Sequence, residues 1–572
     1  MSTRHGTRHL LRSVARTLDT IDIVETVAYV VLSLGVALAG SLAAVLLVPL
    51  VQPGHTVAFG GGILDAHGDI DRQAIFFGVA TISFALLRWQ TSRLGARLVG
   101  RYGIHLRRAV HARLIEAPLA SLADLTSAEI ANVLTHNVEL VVQGFSAMQQ
   151  LLVTAVTSAV SLGFALWLSP QLVLALPVLL VFGLIASRIS TREQMQVSRQ
   201  YVADMTRLFW HSEDFPRRLR HVRSFEREAA EKASYGDISA RLGYGYRRQL
   251  ELIASGRLVL ELFAAIGIAA AFMLAHRWRA IDQSSLIAVS LLLGRLLPYV
   301  VSTRQSFQQL RLAAPAFELW RRYTRLESVL PSTTPSRAPA MGISMHIERM
   351  RVKPPSHGLD IAGLHLNPGE LTLIVGDSGI GKSSLIDVLA GMATPEIFIA
   401  RAGHKAIEFG QYREMVRHGA YVSQSVRPWQ HSVRECLLWA APEATEAMLQ
   451  DALVDVGLDK RLVGSDHGLD TSLHSSSSRL SGGELQRLLL AQVILRQPLL
   501  ALLDEATSAL DAAAETAVLS ALRRRLPRTI LIVVSHRSSV AAIADQCLSI
   551  GSDLATSIVQ NTDSRRAANA AG

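Results

Sequence analysis

The stretch Gly376-Asp377-Ser378-Gly379-Ile380-Gly381-Lys382-Ser383 joins a predicted strand to a predicted helix. The apolar residues 371–375 before it indicate a buried strand, and residues 384–390 after it have the pattern of a helix. Glycines allow backbone N–H groups to turn inward around phosphate oxygens, and the start of a helix adds a partial positive charge. The stretch is therefore typical of a phosphate-binding P-loop.

Two side chains give a P-loop its chemistry. In this chain the ammonium group of Lys382 is expected to reach the β- and γ-phosphates of a nucleotide, and the hydroxyl of Ser383 is expected to hold Mg²⁺. We therefore predict that all eight residues of the stretch, together with Ser384 behind them, contact the nucleotide.

Composition indicates a membrane protein of several domains. The chain has 572 residues, of which 49% are hydrophobic and only 18% charged, against a usual charged share of about 25%. The net charge of +10 comes mostly from arginines beside apolar segments, so we favour a membrane-flanking role over nucleic-acid binding. The two cysteines, Cys436 and Cys547, suggest neither a disulfide framework nor a cysteine metal site.

Residues 1–20 carry arginines along one face of a predicted helix, at Arg4, Arg8, Arg12 and Arg16. A mitochondrial transit peptide and a cytoplasmic helix lying on the membrane surface share this pattern. The uncharged run 26–52 follows, which is too long for a signal-peptide core and long enough to cross a bilayer. The run favours the surface helix, with the N terminus in the cytoplasm.

Apolar runs predict six membrane spans in the first half of the chain. They lie at residues 26–52, 73–89, two within 140–187, 258–275 and 283–303. The loop 53–71 contains aspartates but no Lys or Arg, so the positive-inside rule places it outside and both chain termini inside. Two long polar, helical excursions into the cytoplasm separate spans two and three and spans four and five.

Glu261 in the fifth predicted span and Arg295 in the sixth are charged residues at membrane depth. Such residues usually pair with each other or face a cavity. Two interpretations stay open: an ion pair that holds the helices together, and a polar wall of a translocation pathway.

The second half of the chain contains further motifs at the ends of predicted strands. Strand 420–423 ends at Gln424, strand 499–503 ends at Asp504-Glu505, and strand 530–534 ends at Ser535-His536. Asp504 is expected to hold Mg²⁺ through water, and Glu505 to polarise an attacking water. Gln424 is expected to complete the metal shell, and His536 to hydrogen-bond the γ-phosphate.

A second phosphate-binding helix start is predicted where the sequence Leu480-Ser481-Gly482-Gly483-Glu484 opens a helix. One chain then offers two such helix starts. This suggests a dimer in which Ser481, Gly482 and Gly483 of one subunit cover the nucleotide on the P-loop of the other.

These motifs resemble those of ABC transporters. The P-loop resembles Walker A, Gln424 the Q-loop, residues 480–484 the signature, residues 499–504 Walker B, residues 508–511 the D-loop and His536 the switch histidine. The six-span half resembles the exporter-type membrane domain of the same family. The chain is thus similar to a half-transporter with an α-helical six-span transmembrane domain followed by an α/β P-loop NTPase domain with an ABC helical subdomain.

The resemblance implies a domain order. We expect a cytoplasmic or interfacial elbow helix at 1–20, a transmembrane domain with two coupling-helix excursions at 21–326 and a linker at 327–343. An ABC nucleotide-binding domain is expected at 344–555 and a flexible tail at 556–572.

The resemblance also implies a function. Two ATP molecules with Mg²⁺ would be sandwiched in a dimer, with Asp511 of the D-loop among the nucleotide contacts. We expect a homodimer, although a heterodimer is also compatible, that exports an amphipathic small molecule, lipid or peptide across the bacterial inner membrane. The alternatives are an exporter-shaped importer, such as one for siderophores, and a regulatory ATP-binding subunit.

The chain departs from the family pattern in two places. The aromatic residue that usually stacks on adenine is replaced by Pro354, and no Phe, Tyr or Trp occurs between residues 344 and 375. Selectivity for adenine is therefore expected to be weak. The Gly-Glu-x-Gly stretch usual before the signature reads His474-Ser475-Ser476-Ser477, so its acidic residue is absent.

Overall fold

The computed structural model describes the chain in eleven stretches. These are residues 20–51, 70–122, 125–168, 191–213, 215–277, 283–328, 342–353, 358–463, 468–473, 480–551 and 556–560. The chain divides into two compact units, one of Met1–Ala117 with Ala123–Val329 and one of Pro118–Leu122 with Leu330–Gly572. Each unit is described by itself.

Long helices build the first unit. They are α1 Thr20–Val51, α2 Ile70–Glu116, α5 Val138–Leu168, α8 Glu228–Arg277 and α9 Gln283–Thr324. Its shorter helices are α4 Ser127–Asn132, a π-helix Val133–Asn137, α6 Thr191–Glu213 and α7 Phe215–Ser224. Helix α3, Leu119–Leu122, precedes α4 in the sequence and belongs to the second unit. The 47 residues of α2 extend over about 70 Å, more than twice the thickness of a bilayer core. Helices of this length continue well beyond the membrane, as the sequence predicts.

Three helices of the described residues are long and apolar enough to cross a membrane. They are Ile23–Leu47, Asp71–Glu116 and Glu129–Trp167. The first overlaps predicted span 26–52, the second includes span 73–89, and the third overlaps the first of the two spans predicted within 140–187. Helices α8 and α9 include the fifth and sixth. The fourth span falls in residues 169–190, outside the described residues, as do residues 1–19 of the expected elbow helix and the side chain of Arg295. The interpretations of Glu261 and Arg295 stay predictions.

The helices of this unit pack closely because small residues lie where they cross. A Cβ atom added at Gly144 of α5 would overlap the Cβ of Ala313 of α9. The same two helices are joined by a hydrogen bond of 3.1 Å from Gln150 Nε2 to Ser302 Oγ. A buried aromatic core adjoins this crossing, where Trp320 Nε1 donates to the carbonyl of Leu106 at 3.2 Å.

Two sheets form the second unit. A four-stranded antiparallel sheet has the order β2-β1-β4-β5, and a six-stranded sheet has the order β10-β9-β3-β8-β7-β6. The strands are β1 Met345–Val352, β2 Leu359–Leu366, β3 Leu371–Gly376, β4 Ile397–Ala402, β5 Lys405–Ile407, β6 Ala420–Ser423, β7 Leu500–Asp504, β8 Ile530–Val534, β9 Gln546–Ile550 and β10 Thr556–Gln560. Strands β9, β3, β8, β7 and β6 run parallel.

Helices accompany the two sheets in the second unit. They are α10 Lys382–Leu389, α11 Phe409–Val416, α12 Val433–Ala440, α13 Glu446–Asp455, α14 Asp459–Val463, a 3₁₀ turn Gly468–Asp470, α15 Gly482–Arg496, α16 Ala512–Arg525 and α17 Ser538–Ile543. Strand β8 is buried along its whole length, and β7 is buried up to Asp504. Burial on both faces explains why these strands consist of continuous apolar residues, as is typical of parallel sheets.

The prediction of a flexible tail from residue 556 is wrong for its first five residues. Thr556–Gln560 form strand β10, which pairs antiparallel with β9. Thr556 Oγ1 also donates to the carbonyl of Asp360 at 3.0 Å. The pairing satisfies backbone groups that a free tail would expose, so the nucleotide-binding unit extends at least to Gln560. Residues 561–572 lie outside the described part.

A partly buried ion pair lies between the start of β3 and the start of β9. The carboxylate of Asp545 accepts a hydrogen bond from the backbone N–H of Leu371 at 2.9 Å and from Arg523 at 2.8 Å. Arg523 also donates to the carbonyl of Gly369 at 3.1 Å. Removing Arg523 would leave the buried carboxylate of Asp545 without its charged partner, which is costly.

We predict that Gly144→Ala destabilises the membrane unit. The added methyl group overlaps Ala313 and must push α5 and α9 apart, which costs about 1–3 kcal/mol. Gly163→Ala is the matched control on the same helix, because a Cβ there meets nothing within 4 Å. The measurement is the melting temperature of the detergent-purified protein. Equal melting temperatures for the two variants would contradict this account of the crossing.

Candidate nucleotide site

The predicted site residues follow neighbouring strands of the six-stranded sheet. The P-loop begins at the last residue of β3, and Gln424 directly follows β6. Asp504 is the last residue of β7, and His536 is the second residue after β8. Because the carboxyl ends of parallel strands meet at one edge of a sheet, the fold brings these residues together. This edge is the place where open α/β sheets bind their ligands.

The P-loop needs glycine at two positions. Gly379 has a φ of +81° and Gly381 a φ of +108°, values that side chains with a Cβ rarely adopt. Gly381 directly precedes α10, so the backbone turns into the helix there. The ammonium of Lys382 donates to the carbonyls of Gly376 at 2.8 Å and Asp377 at 2.9 Å. These bonds hold the positive charge of Lys382 at the mouth of the loop.

The rest of the loop is open to solvent. Asp377, Ser378 and Gly379 are exposed, and Ile380 N contacts the carbonyl of Asp377 at 3.4 Å. Ser384 lies in the first turn of α10, directly behind Ser383. The loop is thus exposed at the start of a helix, a place that suits an anionic ligand.

Oxygen atoms of the predicted metal ligands meet at this edge. Ser383 Oγ donates to Asp504 Oδ2 at 3.2 Å, and the hydroxyl of Tyr421 approaches the same oxygen at 3.4 Å. The backbone N–H of Gln424 donates to the carbonyl of Asp504 at 2.9 Å, which places the start of the Q-loop beside this pair. Hydroxyl and carboxylate oxygens are the donors that Mg²⁺ prefers, so these residues fit a magnesium ion.

Negative charge accumulates around Asp504. Burial and the nearby charge of Asp504 raise the pKa of Asp387, which lies one helical turn after Ser383. Burial and the same carboxylates raise the pKa of Tyr421 to about 12, so its hydroxyl stays protonated and can donate. A bound cation would relieve the repulsion between the two carboxylates.

Glu505 and His536 form a second pair at the same edge. Their side chains approach to 3.5 Å, from Glu505 Oε1 to His536 Nε2, because β7 and β8 are neighbours. Glu505 has a φ of +50°, an unfavourable left-handed conformation for a non-glycine residue. Its backbone N–H donates to the carbonyl of Val534 at 3.2 Å, which anchors this turn. A carboxylate and an imidazole so placed can hold and deprotonate a water molecule.

The signature residues begin helix α15 with a capping box. Glu484 N donates to Ser481 Oγ at 3.3 Å, and Ser481 N donates to Glu484 Oε2 at 2.6 Å. A Cβ on Gly483 would lie 3.0 Å from the carbonyl oxygen of Ala509, so the helix start touches the D-loop closely. Gly482 stands beside it as the first helical residue.

Gln486 ties the signature helix to the D-loop. Its Nε2 donates to Ser508 Oγ at 3.2 Å, and its Oε1 accepts from the backbone N–H of Ala509 at 2.9 Å. Within the described part of the chain, no hydrogen bond or ion pair joins residues 481–483 to residues 376–383. The two predicted phosphate-binding helix starts are therefore not bonded to each other in one chain.

Asp511 has a structural partner in the chain itself. Its carboxylate accepts a hydrogen bond of 2.7 Å from Ala514 N and caps α16. Its predicted contact with a nucleotide stays a prediction. Pro354 and residues 474–479, where the sequence departs from the family pattern, lie outside the described residues.

Sequence reasoning missed several side chains of this region. Tyr421 and Asp387 contribute to the surroundings of Asp504, and Glu515 and Arg537 connect the loops behind it. Asp387 could have been predicted, because it lies four residues after Ser383 and therefore on the same face of one helix. The roles of Tyr421, Glu515 and Arg537 depend on contacts with segments distant in the sequence, so the residues around them give no signal.

Comparison with protein-family models gives two matches. Residues 26–298 match the ABC transporter transmembrane region, and residues 359–508 match the ABC transporter model. Together the two regions span well over half of the chain, with the membrane region first.

Curated relatives match over both regions. The chain is 27% identical over 458 residues to the ATP-dependent lipid A-core flippase of Ralstonia nicotianae, covering 77% of this chain and 76% of the relative. It is 26% identical over 469 residues to the protein of the same name from Chromobacterium violaceum, covering 78% of each chain. A shorter match, 36% identical over 183 residues, links 32% of this chain to 21% of the mycobactin import ATP-binding/permease protein IrtA of Mycolicibacterium smegmatis.

A solved structure shares the fold. The structure of a bacterial Atm1-family ABC exporter with ATP bound superposes with a TM-score of 0.74 at 19% identity, covering 92% of this chain and 93% of that one. The predicted fold class, a helical transmembrane domain followed by an ABC nucleotide-binding domain, is confirmed. The chain belongs to the ABC transporters, as an exporter-type half-transporter that binds ATP and couples its hydrolysis to transport.

Proposed function

We propose that two copies of this chain form a homodimeric exporter that hydrolyses Mg²⁺-ATP at two composite sites. The observation that supports this most directly is the pairing of Glu505 with His536 at the sheet edge where Ser383 meets Asp504. A complete set of hydrolytic residues argues against a regulatory subunit that only binds ATP. It also gives each copy of a homodimer the same competent chemistry.

The need for a second copy follows from the two helix starts. The P-loop and residues 481–483 each suit phosphate oxygens, yet they are not bonded to each other in the described chain. A second copy, related by a twofold axis, would place its signature helix over the phosphates bound at the first copy's P-loop. Asp511, the last residue of the D-loop, would then approach the shared interface.

The chemistry of the site follows from its side chains. Lys382 binds the β- and γ-phosphates, and the backbone of residues 376–381 surrounds them. Ser383, Asp504 and Gln424 would hold a Mg²⁺ ion, and a bound Mg²⁺ would supply positive charge that offsets the charge of the phosphates. Glu505 accepts a proton from the attacking water, and His536 donates a hydrogen bond to the γ-phosphate and keeps the water in line.

The cargo that we propose is an amphipathic molecule, with a membrane lipid as the first candidate. The two relatives named as lipid A-core flippases match about three quarters of this chain. The mycobactin import protein matches only 32% of it, which gives the importer alternative less support. The arginines on the cytoplasmic side of the spans support a bacterial inner-membrane location with both termini in the cytoplasm.

We also propose the following domain boundaries. The elbow helix would occupy 1–20, the transmembrane domain 21–326 and the linker 327–343. The nucleotide-binding domain would begin at residue 344 and include strand β10.

Replacing Glu505 by Gln is expected to stop hydrolysis without stopping ATP binding. The amide cannot accept the proton of the attacking water, so the rate falls by about a hundredfold or more. Phosphate release by the protein in nanodiscs measures the rate, and ATP retained after gel filtration measures binding. Glu446→Gln, an exposed acidic residue paired with Arg434, is the control and keeps parental activity. Hydrolysis at the parental rate in Glu505→Gln would show that the base is assigned wrongly.

The absence of an aromatic residue at Pro354 predicts weak discrimination between ATP and GTP. The phosphate contacts are common to both nucleotides, so kcat/KM for the two should agree within about tenfold. Pro354→Tyr is expected to increase the preference for ATP by supplying a stacking partner for adenine. A strong preference for ATP in the unmodified chain would refute the prediction.

Export predicts the direction in which cargo accumulates. Inverted membrane vesicles expose the ATP-binding side, so added ATP should drive a fluorescent lipid from their outer to their inner leaflet. Vesicles containing Glu505→Gln are the control and should show no ATP-dependent movement. Uptake that occurs only in right-side-out cells would support the importer alternative instead.

A further inference from the structure

A buried carboxylate that the proposed mechanism does not use lies behind the hydrolytic pair. Glu515 is on the first turn of α16, and only 1% of its surface is exposed. Its Oε1 accepts hydrogen bonds from Thr507 Oγ1 at 2.6 Å and from Ser535 Oγ at 3.4 Å. Its Oε2 accepts from the guanidinium of Arg537 at 3.3 Å. A carboxylate this buried is stable only with such partners.

The partners of Glu515 flank the two hydrolytic side chains. Thr507 is the second residue after Glu505, and Ser535 and Arg537 stand on either side of His536. The carboxylate of Glu515 is therefore hydrogen-bonded to both loops that carry Glu505 and His536. The side chain of Glu515 thus connects the loop after β7 to the loop after β8.

Arg537 extends the same cluster to the D-loop. Its guanidinium donates to the carbonyls of Leu510 and Ser508, the latter at 3.0 Å. Gln486 in turn ties Ser508 to the signature helix. The cluster around Glu515 thus connects the hydrolytic pair to the segment that contacts residues 481–483.

The ordinary role of an acidic residue in a first helical turn does not account for Glu515. Such residues stabilise helices by capping or by facing the helix dipole. The cap of α16 is already supplied by Asp511, whose carboxylate accepts from Ala514 N at 2.7 Å. Glu515 instead points into the protein and is bonded to three side chains of other segments.

We propose that Glu515 is a positioning residue for ATP hydrolysis, holding Glu505 and His536 in register with each other and with the D-loop. The proposal rests on the roles proposed above for Glu505 and His536. It predicts a specific defect. The cluster makes no hydrogen bond to residues 376–383 within the described chain, so its loss should impair hydrolysis and spare nucleotide binding.

The test is Glu515→Gln in the full chain, reconstituted in nanodiscs. Displacement of a hydrolytic group by a fraction of an ångström to an ångström lowers kcat by about tenfold to a hundredfold. The Kd for a fluorescent ATP analogue should change by less than about twofold, since the P-loop is untouched. Thr507→Val, which removes the shortest bond at constant shape, should lower kcat in the same direction. This second variant keeps the test available if Glu515→Gln folds poorly.

Asp545→Asn is the matched control. Asp545 is also a buried carboxylate that accepts from an arginine and a second donor, but its partners are Arg523 and the backbone of Leu371. This variant should lose stability while keeping kcat per folded molecule. If Glu515→Gln and Thr507→Val likewise lose only stability, the positioning role is overturned and Glu515 is a structural residue.

Glu505→Gln, measured in parallel, separates the two claims. Full hydrolysis in Glu505→Gln would overturn the proposed function itself. Abolished hydrolysis in Glu505→Gln, with an unchanged kcat in Glu515→Gln and Thr507→Val, would overturn only the positioning role.

Discussion

Parallel pairing of four neighbouring strands is the constraint on which the nucleotide site depends. Strands β3, β8, β7 and β6 run side by side, with Asp504 in register with Val534 on one side and Ser423 on the other. Their carboxyl ends must therefore lie at one edge, which is where the P-loop, Asp504, Glu505 and His536 are found. Strand β8 is buried along its whole length and β7 up to Asp504, as is typical of the inner strands of a parallel sheet.

The hydrolytic residues are held by bonds from behind as well as by the sheet. Glu505 keeps a left-handed backbone conformation, which persists only where surrounding structure determines it. The contacts of Glu515 with Thr507, Ser535 and Arg537 provide such a support. The same cluster reaches the D-loop and, through Gln486, the signature helix. A short series of hydrogen bonds therefore connects the signature helix to the loops that carry the hydrolytic pair.

Local motifs could be predicted from the sequence, and contacts between distant segments could not. The P-loop was predictable because glycine spacing and the flanking apolar run are local, and the positive φ angles of Gly379 and Gly381 match that reading. Strand β10 was not, because five residues become a strand only through pairing with β9. In the sequence, Glu515 looks like an ordinary acidic residue of a first helical turn, because its three partners come from two other segments. The close crossing at Gly144 and Ala313 was likewise visible only once α5 and α9 were placed together.

The central claim is that each chain supplies half of an ATP site and a second copy supplies the other half. Cross-linking tests it directly, with Ser378→Cys in the P-loop and Ser481→Cys at the signature helix combined in one chain. Cross-linking through the native Cys436 is expected to be low, because burial raises the pKa of its thiol to about 12. The same experiment on a chain without the added cysteines gives the amount of cross-linking that the native cysteines contribute. The account predicts disulfide-linked dimers that increase with Mg²⁺-ATP. Monomers alone, under every nucleotide condition, would contradict it.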